Sequence, residues 1–293
     1  MCFSLSHWPE IRFLTETERL MDDIVRIIDV EKAIRSSKSR LVRILPEFVV
    51  RFIRKMIRQD EMNTTIHKYR HKTGVPFVND VLKEWKVDIV VKGEENVPSS
   101  GRFVFVANHP VGGMDALAFL STIYRFFTNV ISPSNQLFEY IPNLQPVILG
   151  VNVFGLNTKE TAEKYNQLFQ SDAQIMIFPA GVVSRRTKGI ISDLVWQKSF
   201  LSKVVQHKRD IIPVHISGRN SNLFYFVSNL RKFLGIKMSL EIILLPREMH
   251  KQRNSTVTIR IGKVLPWQTF TKERTHYEWA QYVKNIVYSQ KGS

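Results

Sequence analysis

From residue 87 onward, short runs of Val, Ile and Phe alternate with stretches whose apolar residues recur every three or four positions. That alternation predicts an α/β fold rather than separate layers of strand and helix. The strand candidates are residues 87–92 (VDIVVK), 102–107 (RFVFVA), 174–178 (QIMIF), 211–217 (IIPVHIS), 239–245 (SLEIILL) and 256–261 (TVTIRI). Helices are expected over 116–127, 159–170, 194–207, 221–234 and 275–289, the last opened by a Thr275-x-x-Glu278 capping-box pattern. Neither an internal repeat nor a low-complexity tract interrupts the pattern.

Upstream, "RLVRILPEFVVRFIRKMIR" (residues 40–58) follows the helical period instead. Leu41, Ile44, Leu45, Phe48, Phe52, Ile53 and Met56 fall at three- and four-residue spacings, and Arg40, Arg43, Arg51, Arg54, Lys55 and Arg58 fill other positions. Pro46 divides the stretch into two short helices or kinks one. An apolar stripe beside a cationic face suits a helix lying in an anionic bilayer surface. A helix packed on the domain core with a solvated basic face has the same pattern. The expected organisation is a helical, membrane-surface region over 1–84 and an α/β domain over 85–293.

Charge sharpens that division. The 293 residues carry a formal net charge of +16 and a pI near 10.0, and residues 32–72 hold twelve Lys or Arg against Glu47, Asp60 and Glu61. Such a surface attracts anionic lipid, nucleic acid or an acidic protein. Cys2 is the only cysteine, so no disulfide can form within the chain. Residues 1–20 lack the apolar core of a signal peptide, and no apolar run is long enough to span a bilayer. The expected location is the cytoplasmic face of the cell membrane, held peripherally.

The candidate chemistry begins in "FVFVANHPVGGMDALAFL" (103–120). A buried strand precedes it and a helix follows, so 108–114 is a turn, kept out of helix by Pro110 and the Gly112-Gly113 pair. It presents His109 at a strand's C-terminal end and Asp115 at a helix start, where open α/β sheets place ligands. Six positions apart, the two do not meet on a regular helix, but across a turn they can. Asp115 would then accept the His109 Nδ1 proton and leave Nε2 free as a general base. Alternatively, Asp115 caps the helix and His109 is incidental. No metal-ligand spacing surrounds them, G-x-S-x-G is absent, and Cys2 is isolated. A His-Asp pair without its own nucleophile suits a substrate that brings one, such as a hydroxyl attacking a thioester.

A second block, "QIMIFPAGVVSRRTKG" (174–189), ends a β-run with Phe178-Pro179-Ala180-Gly181 and adds Ser184, Arg185, Arg186 and Lys188. Gly181 allows close backbone approach, and the Arg groups can clamp a phosphate or carboxylate. By itself this is also what a basic surface loop looks like.

Together and in this order, Asn108-His109-Pro110…Asp115 and Phe178-Pro179-Ala180-Gly181…Ser184-Arg185 resemble the acyltransferases that acylate glycerol phosphates and lysophospholipids. Those enzymes are marked by N-H-x4-D followed by F-P-E-G-x-x-S. Pro213 in "IIPVHISG" resembles the family's fourth block, and the resemblance spans roughly residues 85–265. Here five residues separate His109 from Asp115 instead of four, and Ala180 stands in the glutamate's place. Both departures are similar to a hemolysin-like bacterial branch resembling O-acyltransferases of lyso-glycine or lyso-ornithine lipids. "NVFGLNTK" (152–159) falls where the family carries an arginine, but shows Asn157 and Lys159.

The resemblance implies a mixed, largely parallel central sheet flanked by helices, with a basic amphipathic extension before it. It implies His109 and Asp115 as the catalytic dyad and Gly181, Ser184, Arg185 and Arg186 at the acceptor's anionic head, with support from Asn108, Asn157, Pro179 and Pro213. It implies no metal and no cofactor. The expected partners are an acyl-carrier-protein or CoA thioester donor, a lyso-lipid acceptor and an anionic membrane surface, and not nucleic acid. The missing glutamate and arginine weigh against lysophosphatidate, which stays the alternative acceptor. From another class, the rival is a non-catalytic basic binding protein, but its cations are interleaved with aliphatics and offer no stacking platform for bases.

Overall fold

The computed structural model describes residues 26–36, 40–151, 158–236 and 239–292. Their centre is a seven-stranded sheet built from β1 (Asp88–Lys92), β2 (Phe103–Ala107), β3 (Val130–Asn135), β4 (Ile148–Val151), β5 (Gln174–Ile177), β8 (Asp210–Ile216) and β9 (Thr256–Ile261), in the order β1-β9-β8-β2-β5-β3-β4. β6 (Arg185–Thr187) and β7 (Ile190–Ser192) form a separate hairpin. Every pairing in the large sheet is parallel except β8 with β9, so the sheet is mixed and largely parallel.

β2 sits at the centre, and all five of its residues are buried. Alternate side chains enter opposite layers, as the two-residue strand period requires. Phe103, Phe105 and Ala107 join one core with Val78 and Val81 of α5 (Gly74–Glu84) and Met114, Phe119 and Ile123 of α6 (Gly113–Tyr124). Val104 and Val106 join the other with Phe200 and Val204 of α8 (Ser199–His207) and Ala280 and Val283 of α11 (His276–Ser289). Sheets covered on both faces read as continuous apolar runs, which is why "FVFVA" was conspicuous.

Upstream of α5, the helices α1 (Val30–Arg35), α2 (Arg40–Arg43), α3 (Glu47–Ile57) and α4 (Gln59–Lys68) lead into the fold, and Val30, Ile34 and Val50 make a small cluster of their own. Pro46 does separate two helices. α5, in contrast, packs into the same core as the sheet. α7 (Lys159–Gln170) and α9 (Asn222–Phe233) lie close to their expected ranges, and α10 (Leu245–His250) is short.

Two sequence expectations are corrected, and two strands are added. Residues 239–245 are not a strand: Leu240–Leu244 is a 3-10 turn running into α10. Pro246 occupies the first turn of that helix, where its missing N–H costs nothing. The helix expected from 194 starts at Ser199, because 193–197 takes no regular structure and buries Trp196. β3 and β4 escaped notice because "VISPSN" and "ILGV" are short and β3 contains Pro133. Past Ile131, β3 has a ladder neighbour on only one side, so a proline is tolerated there.

Candidate active site

β2 ends at Ala107, and the chain must turn before α6 begins at Gly113. Asn108 extends the strand with its side chain: Oδ1 accepts from the Ile216 N–H at 2.7 Å and Nδ2 donates to the Ile216 carbonyl at 2.9 Å. That locks the end of β2 to the end of β8. Gly112 then takes a φ of 120°, which glycine alone adopts without strain. Asp115, almost fully buried in the first turn of α6, closes the loop by accepting at Oδ2 from the N–H groups of Val111 (2.7 Å) and Gly112 (2.9 Å).

The same oxygen lies 3.1 Å from His109 Nδ1. The separation is that of a hydrogen bond, but the ring N–H is not aligned with the oxygen and Nδ1 has no other partner. Catalytic hydrogen bonds are often loose in this way before substrate tightens them. The Phe178 ring lies against the imidazole, with centroids 4.1 Å apart and planes at 23°. Phe178 belongs to the second block, so that block packs against the ring that the first block supplies.

Asp193, which nothing local in the sequence distinguishes, joins the two blocks. Its Oδ1 accepts from the Ser184 hydroxyl (2.6 Å) and the His109 N–H (3.2 Å), and its Oδ2 accepts from the Trp196 indole (2.9 Å). Ser184 N–H donates in turn to the His109 carbonyl at 2.7 Å. The backbone of His109 is therefore held from both sides, and the Ser184 hydroxyl proton is already committed.

The remaining expected site residues divide. Gly181 is exposed at the apex of a turn closed by its N–H to the Phe178 carbonyl, with φ 67°. Pro179 is buried behind it, and its carbonyl accepts from Gln197 N–H. Ala180 packs in the core containing Trp196 and Phe200, where a glutamate would be buried among apolar groups. Arg185 is turned away from solvent: its guanidinium donates to Glu241 at 2.9 Å and to the Val183 carbonyl at 2.5 Å, and lies over Phe224. Glu241 is fully buried and also faces Arg231 at 2.9 Å. Contrary to the expectation from sequence, Arg185 is spent on holding the 239–245 segment. Alternation in "SLEIILL" had hidden that segment's carboxylate as a strand residue. Arg186 is half-buried, donating to Asn222 and stacked on Tyr225. Pro213 is buried in the middle of β8, paired with Val106, and supports the sheet rather than a substrate. Asn157 lies outside the described residues.

Two concavities flank the His109 turn. A polar cleft of about 710 Å³ is bordered by Asn108, Pro110 and Ser184 and continues to His215, Arg219 and Tyr288. An apolar cavity of about 150 Å³ opens at Gly113 on the other side, walled by Leu117, Leu120, Met176 and Met249. His215, buried on β8, has its pKa lowered to about 4 by burial and then by Arg260 and Lys291.

The family model described as "Acyltransferase" matches residues 32–293. A lyso-glycine lipid O-acyltransferase of Bacteroides thetaiotaomicron is 40% identical over 270 residues, covering 92% of this chain and 99% of that protein. One of Phocaeicola vulgatus is 37% identical over 271 residues, covering 92% and 97%. The solved structure of the 1-acyl-sn-glycerophosphate acyltransferase of Thermotoga maritima covers 90% of this chain and 88% of its own at 19% identity, with a TM-score of 0.44.

Proposed function

The chain belongs to the acyltransferase family, and on that premise we propose that it moves a fatty acyl group from an acyl thioester to the hydroxyl of a lyso-amino-acid lipid, with His109 as general base. The observation that carries the reading is the 3.1 Å approach of His109 Nδ1 to Asp115 Oδ2 at the end of the central strand, between an apolar and a polar concavity. Asp115 orients the ring and leaves Nε2 to take the acceptor's hydroxyl proton as the oxygen attacks the thioester carbonyl. Collapse of the tetrahedral intermediate expels the thiolate, which recovers that proton from His109. Ester and free thiol result, and the enzyme returns unchanged.

A glycine-lipid acceptor is supported by the two relatives of that name, which match almost the whole chain. It is supported also by the apolar packing of Ala180, which leaves no carboxylate at that position to order a glycerol phosphate. The apolar cavity at Gly113 offers the donor's acyl chain an apolar wall beside the dyad's turn. Acyl carrier protein, acidic as a class, suits a chain of net charge +16, although a CoA thioester presents the same reacting bond.

Access to the acceptor is from a membrane surface on the cytoplasmic side. No helix among the described residues is long and apolar enough to cross a bilayer. Ile44, in the turn after α2, and Phe48 and Phe52 of α3 expose 64%, 73% and 61% of their surface. Phe226, Leu230 and Phe233 of α9 are also exposed, and α9 and α3 both pack on the turn at 240–244. Arg40, Arg43, Arg51 and Lys55 are exposed beside this apolar face, whereas Arg54 and Arg58 are paired with Asp60 and Glu61. Each free cation at an anionic surface contributes about 1 kcal/mol.

The test is His109→Ala assayed with acyl carrier protein and CoA thioesters and a lyso-glycine lipid. Transfer is expected to fall by a factor of at least about 10² while vesicle binding is kept. Equal turnover in variant and parent would remove the base assignment.

A further inference from the structure

Neither arginine of the second block faces an open site without a partner: Arg185 is buried against Glu241, and Arg186 donates to Asn222 and stacks on Tyr225. The polar cleft beside the dyad has cations of its own. Arg219 follows β8, Arg260 lies on β9 opposite His215, and Lys291 comes from the last turn of the chain. Ser217 and Thr258 add hydroxyls, and no carboxylate lines the cleft among the described residues. Arg219 and Lys291 meet no carboxylate among the residues that line the cleft, so an anion entering it would meet positive charge at its rim.

The loop that carries Arg219 is built against the dyad's turn. Asn220 Nδ2 donates to the Pro110 carbonyl at 3.3 Å. Gly218 has φ 139°, and a Cβ there would meet Val111 Cγ2 at 3.0 Å, so the two loops approach as closely as glycine allows. Arg219 itself is exposed. On the cleft floor, His215 is buried with Nδ1 unpartnered. Burial first, and then the charges of Arg260 and Lys291, lower its pKa.

We propose that this cleft is an anion-binding subsite that holds a carboxylate or phosphate of one of the two substrates through Arg219 and Lys291, setting which head group is accepted. The proposal rests on the acyl-transfer reading. An amino-acid lipid linked through its nitrogen offers a carboxylate, and a thioester donor offers the phosphate of its pantetheine arm. Both place the anion several bonds from the reacting atoms, as a cleft adjoining the His109 turn requires.

The experiment uses the full chain, Arg219→Gln and the Arg219→Gln/Lys291→Gln double variant. The unfolding midpoint checks that both variants fold, which the exposure of the two side chains favours. Steady-state kinetics are read with a lyso-glycine lipid, with its methyl ester, and with the donor varied. Loss of a charge-assisted contact is expected to raise the KM of the affected substrate at least about tenfold, with kcat changed far less. If the acceptor supplies the anion, its KM rises, the donor's does not, and the methyl ester binds parent and variant alike. If the donor supplies it, the donor's KM alone rises. Either outcome supports the subsite.

Equilibrium binding of an N-acylglycine and its methyl ester by calorimetry adds a readout that needs no turnover. In a protein that proves to transfer no acyl group, retained preference for the free acid, lost in Arg219→Gln, would uphold the cleft while the catalytic reading fails. Unchanged KM for both substrates, together with equal binding of acid and ester by the parent, would overturn the proposal.

Discussion

His215 illustrates how burial and neighbouring charge act together on one side chain. In the unfolded chain its imidazole titrates near 6.5, whereas in the fold burial, Arg260 and Lys291 hold the pKa at about 4. As pH falls the unfolded chain takes up the proton first, so stability is complete above about pH 6.5 and is lost progressively toward pH 4. The full difference is about 3 kcal/mol. His215→Gln removes this titration without removing the ring's neighbours. Compared by urea denaturation, parent and variant are expected to converge, or cross, by about 3 kcal/mol between pH 7 and pH 4. Burial also lowers the pKa of His207 and His250, but both are present in parent and variant and cancel in the comparison. A gap that stays constant with pH would show that His215 titrates in the fold as it does in the unfolded chain, and that its burial does not lower its pKa.

The turn between β2 and α6 is the element that makes a site of two distant residues. Its closure depends on Gly112, whose φ of 120° and proximity to Val183 Cγ1 (3.3 Å from an added Cβ) both penalise a side chain. Gly112→Ala is expected to cost about 1–3 kcal/mol of stability, read from the denaturation midpoint. It should lower kcat more than KM, because the Gly112 N–H is one of the two that fix Asp115. A variant with normal kcat would mean that the carboxylate's placement does not matter to turnover.

This turn was legible in the sequence because each of its constraints is local: an apolar run, a proline, two glycines and an apolar helix. The chemistry beyond it was legible only as far as chain neighbours reveal spatial ones. Phe178 could be seen in the second block but not its stacking on His109. Asp193 lies in "ISDLVW" without any periodic or spacing signal, and its three acceptor contacts exist only once β2, β5 and the hairpin are assembled. The burial of Arg185 is hidden for the same reason: its partner Glu241 is fifty-six residues away, in a stretch that reads as a strand.

At the scale of the molecule, the exposed apolar surface extends from the 40–58 stretch to α9, where the sequence had not pointed. Large exposed hydrophobic side chains on a soluble face cost hydration and mark contact surfaces. Here Ile44, Phe48 and Phe52 line one helical ridge, and Phe226, Leu230 and Phe233 line a second that shares its support at 240–244. Met249 of α10, which follows that support, borders the apolar cavity at Gly113, so the ridges adjoin the route by which a lipid would reach His109. Burying one phenylalanine in the acyl boundary is worth about 1.5–3 kcal/mol, or about ten- to a hundredfold in affinity. Phe48→Ser/Phe52→Ser and Phe226→Ser/Phe233→Ser are each expected to weaken binding to anionic vesicles at least about tenfold, measured by co-sedimentation. Turnover on detergent-dispersed acceptor should survive in both, because neither pair touches the dyad. Added salt should weaken binding of the parent further, since Arg40, Arg43, Arg51 and Lys55 act through screened charge. If only the α3 pair matters, α9 faces water; if neither does, the apolar ridges serve another contact, and the acceptor reaches His109 without the enzyme resting on its membrane.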